Sequence, residues 1–190
     1  MSDYLKGKRV AILLTNGFEQ VEMTEPRKAL EDAGAKTDLV SPSRGEVQGW
    51  NHHDKGDMFR VDVELDAADS NSYDALLLPG GVMNPDQLRA IPKAVDFVKS
   101  FFDAGKPIAA ICHGPWMLVE AGIVRGRTVT SWPSVKTDLR NAGAQWIDLE
   151  VVSDHGIITS RKPDDIPVFN RKMVEEFAIG ALVPHGARVK

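Results

Sequence analysis

The 190-residue sequence holds one cysteine, Cys112, so no internal disulfide can form. It has no basic run, and its formal net charge of -4 gives no reason to expect a specific nucleic-acid surface. No apolar stretch is long enough to span a bilayer. The N-terminus Met1–Arg9 is polar and charged, unlike a secretory leader. There is no Gly-x-Gly-x-x-Gly after a strand and no Gly-x-x-x-x-Gly-Lys-Ser/Thr, so dinucleotide and P-loop nucleotide binding lack their fingerprints. Histidines are few, and adjacent His52 and His53 beside Asp54 in a polar loop do not make a spaced ligand set. The expectation is a cytoplasmic protein of one domain, residues 1–190, with no metal, no cofactor and no membrane contact.

What is present centres on Lys106–Pro115. Ile108–Ile111 is an apolar run too short for a helix and reads as a strand buried on both faces. It stops at Cys112. Gly114 and Pro115 then open a helical pattern that Gly122 closes. Ala110-Ile-Cys-His-Gly114 is therefore a small-x-nucleophile-x-Gly turn, the logic of the Gly-x-Ser-x-Gly elbow with sulfur in place of oxygen. The helix start beside Cys112 favours a thiolate. A buried structural cysteine is the plain alternative. The turn chemistry and the neighbouring His113, a candidate acid or base, count against it.

The rest of the chain predicts strands at Arg9–Leu14, Lys36–Ser41, Ala75–Leu78 and Thr128–Ser131, and a hairpin of Glu150–Ser153 with Ile157–Ser160. Helices are expected from about Glu22 to Ala33, Ile91 to Ala104, Val135 to Ala142 and Asp165 to Leu182. Residues 45–63 read as a hairpin insertion. Strand-helix-strand order implies right-handed crossovers and a parallel sheet. Ligands of such sheets sit outside the carboxyl ends of the strands. Three strand ends are unusual: Gly17-Phe-Glu19, Gly80-Gly81 and Cys112-His113.

Glu19 could reach the sulfur as a desolvated, protonated donor, or be a solvated acid at a helix start. Gly80-Gly81 could aim an N–H at an oxyanion, or form only a tight turn. Asp86 after Pro85 reads first as a helix cap. Trp50, Trp116, Trp132 and Trp146 make no basic-aromatic stripe and are assigned to core or interface.

Taken together, Gly17-Phe-Glu-Gln-Val-Glu22, Leu78-Pro-Gly-Gly81 and Gly105–Pro115 resemble the PfpI/DJ-one superfamily, in its stress-protein and intracellular-protease branch. Thr130–Pro133 and Asn141–Ala144 extend the likeness over nearly the whole chain. The resemblance implies an α/β, flavodoxin-like three-layer sandwich, with a mostly parallel sheet and a nucleophile elbow. It implies Cys112 as the reactive thiol, Glu19 as its hydrogen-bond donor and His113 as the base. Asp86 of a neighbouring subunit, where PfpI proteases carry Glu in a slightly shorter loop, would complete a triad in a homo-oligomer. The N–H groups of Gly81 and His113 would bind an oxyanion. The functional expectation is a stress-protective hydrolase of small aldehydes or of glycated proteins and nucleotides, as a deglycase or glyoxalase III-like enzyme. A PfpI-type cysteine peptidase and a non-enzymatic redox sensor use the same thiol.

Overall fold

The computed structural model describes residues 3–180. In chain order the elements are β1 (Arg9–Leu13), β2 (Phe18–Glu19), α1 (Val21–Asp32), β3 (Lys36–Ser41), β4 (Glu46–Asn51), β5 (Asp54–Arg60), β6 (Val63–Glu64), β7 (Ala75–Leu78), α2 (Met83–Arg89) and α3 (Pro92–Asp103). They continue with β8 (Ile108–Ile111), α4 (Pro115–Glu120), β9 (Thr128–Val129), α5 (Lys136–Asn141), β10 (Gln145–Trp146), β11 (Val151–Asp154), β12 (Ile157–Ser160) and α6 (Ile166–Ile179).

The central sheet has the order β11-β12-β8-β7-β1-β3-β6. All its pairings are parallel except that of β11 with β12. Each core strand is apolar on both faces because helices cover both. Ala11, Leu13, Leu76, Leu78, Ile108 and Ala110 pack toward α3, α4 and α5. Their neighbours Val10, Ile12, Leu77, Ala109 and Ile111 pack toward α1 and α6 through Met23, Leu30, Phe169 and Met173. This period of two against two helical layers is the expected three-layer sandwich. Burying one such Leu or Ile contributes roughly 1.5–3 kcal/mol, so the two faces together hold the strand ends rigidly.

The sheet reverses direction of growth between β1 and β7, which opens a crevice at their carboxyl ends. A second sheet, β2-β4-β5, stands beside that crevice. The 45–63 insertion is indeed a hairpin, and the side chain of Gln20 ties it down: Nε2 donates to Asp57 Oδ2, and the Asp57 N–H donates back to Oε1, each at 2.7 Å.

Several elements depart from the sequence expectation: the two-residue strands β2, β6 and β10 are added, and β9 stops at Val129 rather than Ser131. Met83–Arg89 forms α2, hidden from pattern reading by Pro85 and by its short length. Pro85 fits because it lies in the first turn, where its missing N–H costs nothing. The last helix ends at Ile179 among the described residues, and Gly180 with φ +81° turns the chain off the axis; the expected end at Leu182 lies outside them. No helix of the described residues is long and apolar enough to cross a membrane.

Candidate active site at the elbow after strand β8

Cys112 has φ +62°, a left-handed conformation that a side chain adopts only when its surroundings impose it. Backbone bonds hold it there. Its N–H donates to Ser160 O at 3.1 Å, and its carbonyl accepts from the Trp132 N–H at 2.9 Å. Small neighbours are a steric necessity. A Cβ on Gly114 would sit 2.5 Å from the Leu78 carbonyl oxygen. One on Gly80 would run into the Glu22 carboxyl and come within 2.6 Å of Cys112 Cβ.

Beside the sulfur stand an imidazole, a carboxyl and two amides. His113 Nδ1 lies 3.1 Å from Cys112 Sγ, so these adjacent residues do point together. His113 Nε2 lies 3.2 Å from Ser134 Oγ. Its ring is flanked by Trp116, centroids 5.0 Å apart, and stacks with Trp132 at 6.0 Å. The N–H groups of Gly81 and His113 face the sulfur.

The carboxyl is that of Glu22, not Glu19. Glu22 lies in the first turn of α1, is fully buried, and accepts from the Gly80 N–H through Oε2 at 3.1 Å. Its side chain meets the Cys112 thiol. Glu19 belongs to β2, whose pairing with β4 turns its carboxylate outward to the His52 N–H, 3.1 Å from Oε2. Only Gln20 and Val21 separate the two, and the turn from β2 into α1 takes the chain from the crevice wall to its floor. Both acids occur in the quoted motif; burial, invisible in one sequence, decides between them.

The electrostatics follow from burial. Desolvation, reinforced by the charge of Glu19, pushes Glu22 up to about 8 and outweighs the Gly80 and Gly81 amides. At neutral pH Glu22 therefore carries a proton. Burial also pushes the Cys112 thiol up, and an ionised Glu22 pushes it further, while the Gly81 and His113 amides pull it down. A protonated Glu22 removes that repulsion and offers the sulfur a donor instead. The sequence assigns thiolate support to the helix start. α4 is only six residues long; the Gly81 and His113 amides favour the thiolate, but burial and Glu22 outweigh them and hold the Cys112 thiol well above its ordinary value. Burial alone lowers His113 to about 4, so its imidazole is neutral near pH 7.

These groups open into a cavity of about 1020 Å3. Its outer wall includes Trp50, His52 and His53 from the β4–β5 hairpin, with Val82, Met83 and Trp132 opposite. His52 and His53 are exposed at the hairpin tip, and the described residues contain no cluster of three metal-ligating side chains. Asp86 is exposed in the first turn of α2, does not line the cavity, and makes no side-chain cap bond. Among the described residues nothing brings it to His113.

The DJ-1/PfpI family model matches residues 8–176. The chain belongs to that family. Among its relatives, a putative cysteine protease YraA of Bacillus subtilis is 41% identical over 87% of this chain and 95% of its own length. General stress protein 18 of the same organism is 44% identical, with the same coverage. Deglycase PH1704 of Pyrococcus horikoshii is 40% identical over 88% of this chain and 98% of its own. Among solved structures, Drosophila melanogaster DJ-1beta superposes with a TM-score of 0.81 at 29% identity, covering 94% of this chain and 91% of that one. The family fold expected from the motifs is the one observed.

Sequence reasoning missed Ser134 and the pairing of Trp116 and Trp132 around His113. The signal available was the motif Thr130–Pro133, which Ser134 directly follows. The bond between the Trp132 N–H and the Cys112 carbonyl helps lay that segment over the elbow.

Proposed function

We propose that this chain is a stress-protective, cysteine-dependent hydrolase of glyoxal and methylglyoxal adducts on proteins or nucleotides, active also on the free aldehydes. The carrying observation is the Cys112 sulfur at a positive-φ elbow, 3.1 Å from His113 Nδ1 and faced by two backbone amides. The relatives named deglycase and general stress protein support the same reading. A lone thiol suits the reducing cytoplasm.

In the proposed reaction the Cys112 thiolate attacks the aldehyde carbon, or displaces the amine from an aminocarbinol, and forms a hemithioacetal. The Gly81 and His113 amides stabilise the oxyanion as it develops, and Glu22 donates its proton toward the same locus. His113 moves a proton from the former aldehyde carbon to the adjacent one, which turns the hemithioacetal into a thioester of the hydroxy acid. No external oxidant is needed, because one carbon is oxidised as its neighbour is reduced. Water then cleaves the thioester and returns the thiol. The cavity, about 1020 Å3, is larger than a two- or three-carbon aldehyde needs and suits an adduct carried on a side chain or base. Asp86 of a neighbouring copy in a homo-oligomer would complete the acid-base set.

The test uses pure protein and its Cys112→Ala variant in a buffer free of competing amines. Substrates are a methylglyoxal-treated peptide, free methylglyoxal and an unstructured protein. Release of hydroxy acid by the parent alone supports the proposal. Peptide cleavage without hydroxy acid replaces it with the peptidase reading. Neither activity, with ready oxidation of Cys112, replaces it with the redox-sensor reading.

A further inference from the structure

The imidazole of His113 has two nitrogens with two different partners: Nδ1 faces Sγ of Cys112 at 3.1 Å, and Nε2 faces Oγ of Ser134 at 3.2 Å. Cys112 and His113 are buried, whereas Ser134 is exposed, so the three groups run from the core to solvent. The segment that carries Ser134 is fastened at several points. The Thr130 N–H donates to Thr159 Oγ1 at 2.9 Å, the Trp132 N–H to the Cys112 carbonyl at 2.9 Å, and Trp146 Nε1 to Ser131 Oγ at 3.0 Å. Trp116 Nε1 meanwhile donates to Asp138 at 2.7 Å, which occupies the nearby carboxylate and fixes one indole against the imidazole. Two indoles hold the plane of the ring, and a hydroxyl waits at its far nitrogen.

We propose that Ser134 is the positioning residue of His113, setting its tautomer and passing the Cys112 proton to solvent. This rests on the assignment of Cys112 as nucleophile. The thiol proton moves to Nδ1 as the S–H bond breaks. The Nε2 proton moves to Ser134 Oγ, and the serine's own proton moves to a water. The products are a thiolate, a neutral imidazole protonated at Nδ1, an intact serine hydroxyl and a proton in bulk solvent. The Ser134 O–H then donates to the bare Nε2 and locks that tautomer, so Nδ1–H stays aimed at the sulfur. The lowered basicity of His113 supports this route, because exchange between neutral tautomers avoids an imidazolium that burial disfavours. Among the described residues no side-chain carboxylate bonds to His113, so within one chain the Ser134 hydroxyl orients the ring.

The test compares the parent with Ser134→Ala and Ser134→Thr by two readouts that need no substrate. These are the 15N shifts of the His113 ring and the rate of Cys112 alkylation by iodoacetamide at pH 7. The parent and Ser134→Thr should show a single ring tautomer and equal rates. Ser134→Ala should show mixed tautomers and alkylate about fivefold more slowly, the size of one ordinary hydrogen bond. A Ser134→Ala protein with the parent's tautomer and rate overturns the proposal. Because neither readout involves turnover, that result leaves the assigned reaction standing or falling by its own test.

Discussion

Glu22 Oε2 accepts from the Gly80 N–H at 3.1 Å, while Oε1 of the same carboxyl is buried with no hydrogen-bond partner. A protonated Glu22 thus has one oxygen anchored to the turn below Cys112, and its side chain meets the thiol. The anchored oxygen fixes the carboxyl beside the sulfur.

The first prediction concerns the pH course of thiol reactivity. Glu22 ionises near 8, and its charge then opposes a thiolate. Alkylation of Cys112 by iodoacetamide should rise with pH and flatten above about 8 in the parent. Glu22→Gln, with no charge to gain, should go on rising until the thiol itself is fully ionised. Glu19→Gln should move the flattening to lower pH, because it removes a charge that holds the Glu22 value up. Identical profiles for all three proteins would separate Glu22 from the thiol.

Stability should carry the same signature. Folding raises Glu22 from 4.5 to about 8, so its contribution is full below 4.5 and is lost as pH climbs toward 8. The loss is on the order of 5 kcal/mol. His113 has the opposite sign: its folded value is depressed, and its contribution is lost as pH falls from 6.5 toward 4. Urea unfolding should therefore show greater stability at pH 6 than at pH 8, and Glu22→Gln should flatten that limb. An unchanged slope between pH 6 and 8 in Glu22→Gln would assign the dependence elsewhere.

Much of this site is legible in sequence, for definite reasons. Ile108–Ile111 ending at Cys112 announces the elbow, because a two-sided apolar strand halted by small residues has few other readings. Gly80-Gly81 and Cys112 do lie side by side, as strand-end convergence requires. The choice between Glu19 and Glu22 was not legible, since it depends on a two-residue strand pairing with a distant hairpin. Ser134 was hidden for a similar reason: its importance comes from a long-range backbone bond to Cys112.

Gly80→Ala tests the packing beneath the sulfur. The added methyl meets Glu22, Cys112 Cβ and the Ile111 carbonyl at 2.8 Å. Backbone cannot yield as a flexible side chain can, so a cost of about 1–3 kcal/mol is expected, with a fall of several degrees in Tm. Calorimetry measures it, and thiol reactivity should change in parallel because the same collision displaces Glu22. A Tm equal to the parent's would mean that the turn absorbs a methyl group freely.

Assembly is tested by mixing. If Asp86 serves a neighbouring copy, inactive Cys112→Ala and inactive Asp86→Ala subunits should regain part of the activity once exchanged, since hybrid contacts contain an intact set. Subunit exchange is followed independently by native mass spectrometry. No recovery after demonstrated exchange, or a monomeric mass by light scattering, removes Asp86 from the site and leaves Ser134 alone beside His113 Nε2.

The β4–β5 hairpin has one further consequence. It connects to the elbow through its neighbours: β4 pairs with the two residues of β2, Asp57 clasps Gln20, and the His52 N–H holds Glu19. Yet it supplies Trp50, His52 and His53 to the mouth of the cavity. The elbow and the gateway are therefore encoded in separate stretches of the chain. A lineage could rewrite this single contiguous ribbon and acquire a different clientele while inheriting the elbow itself.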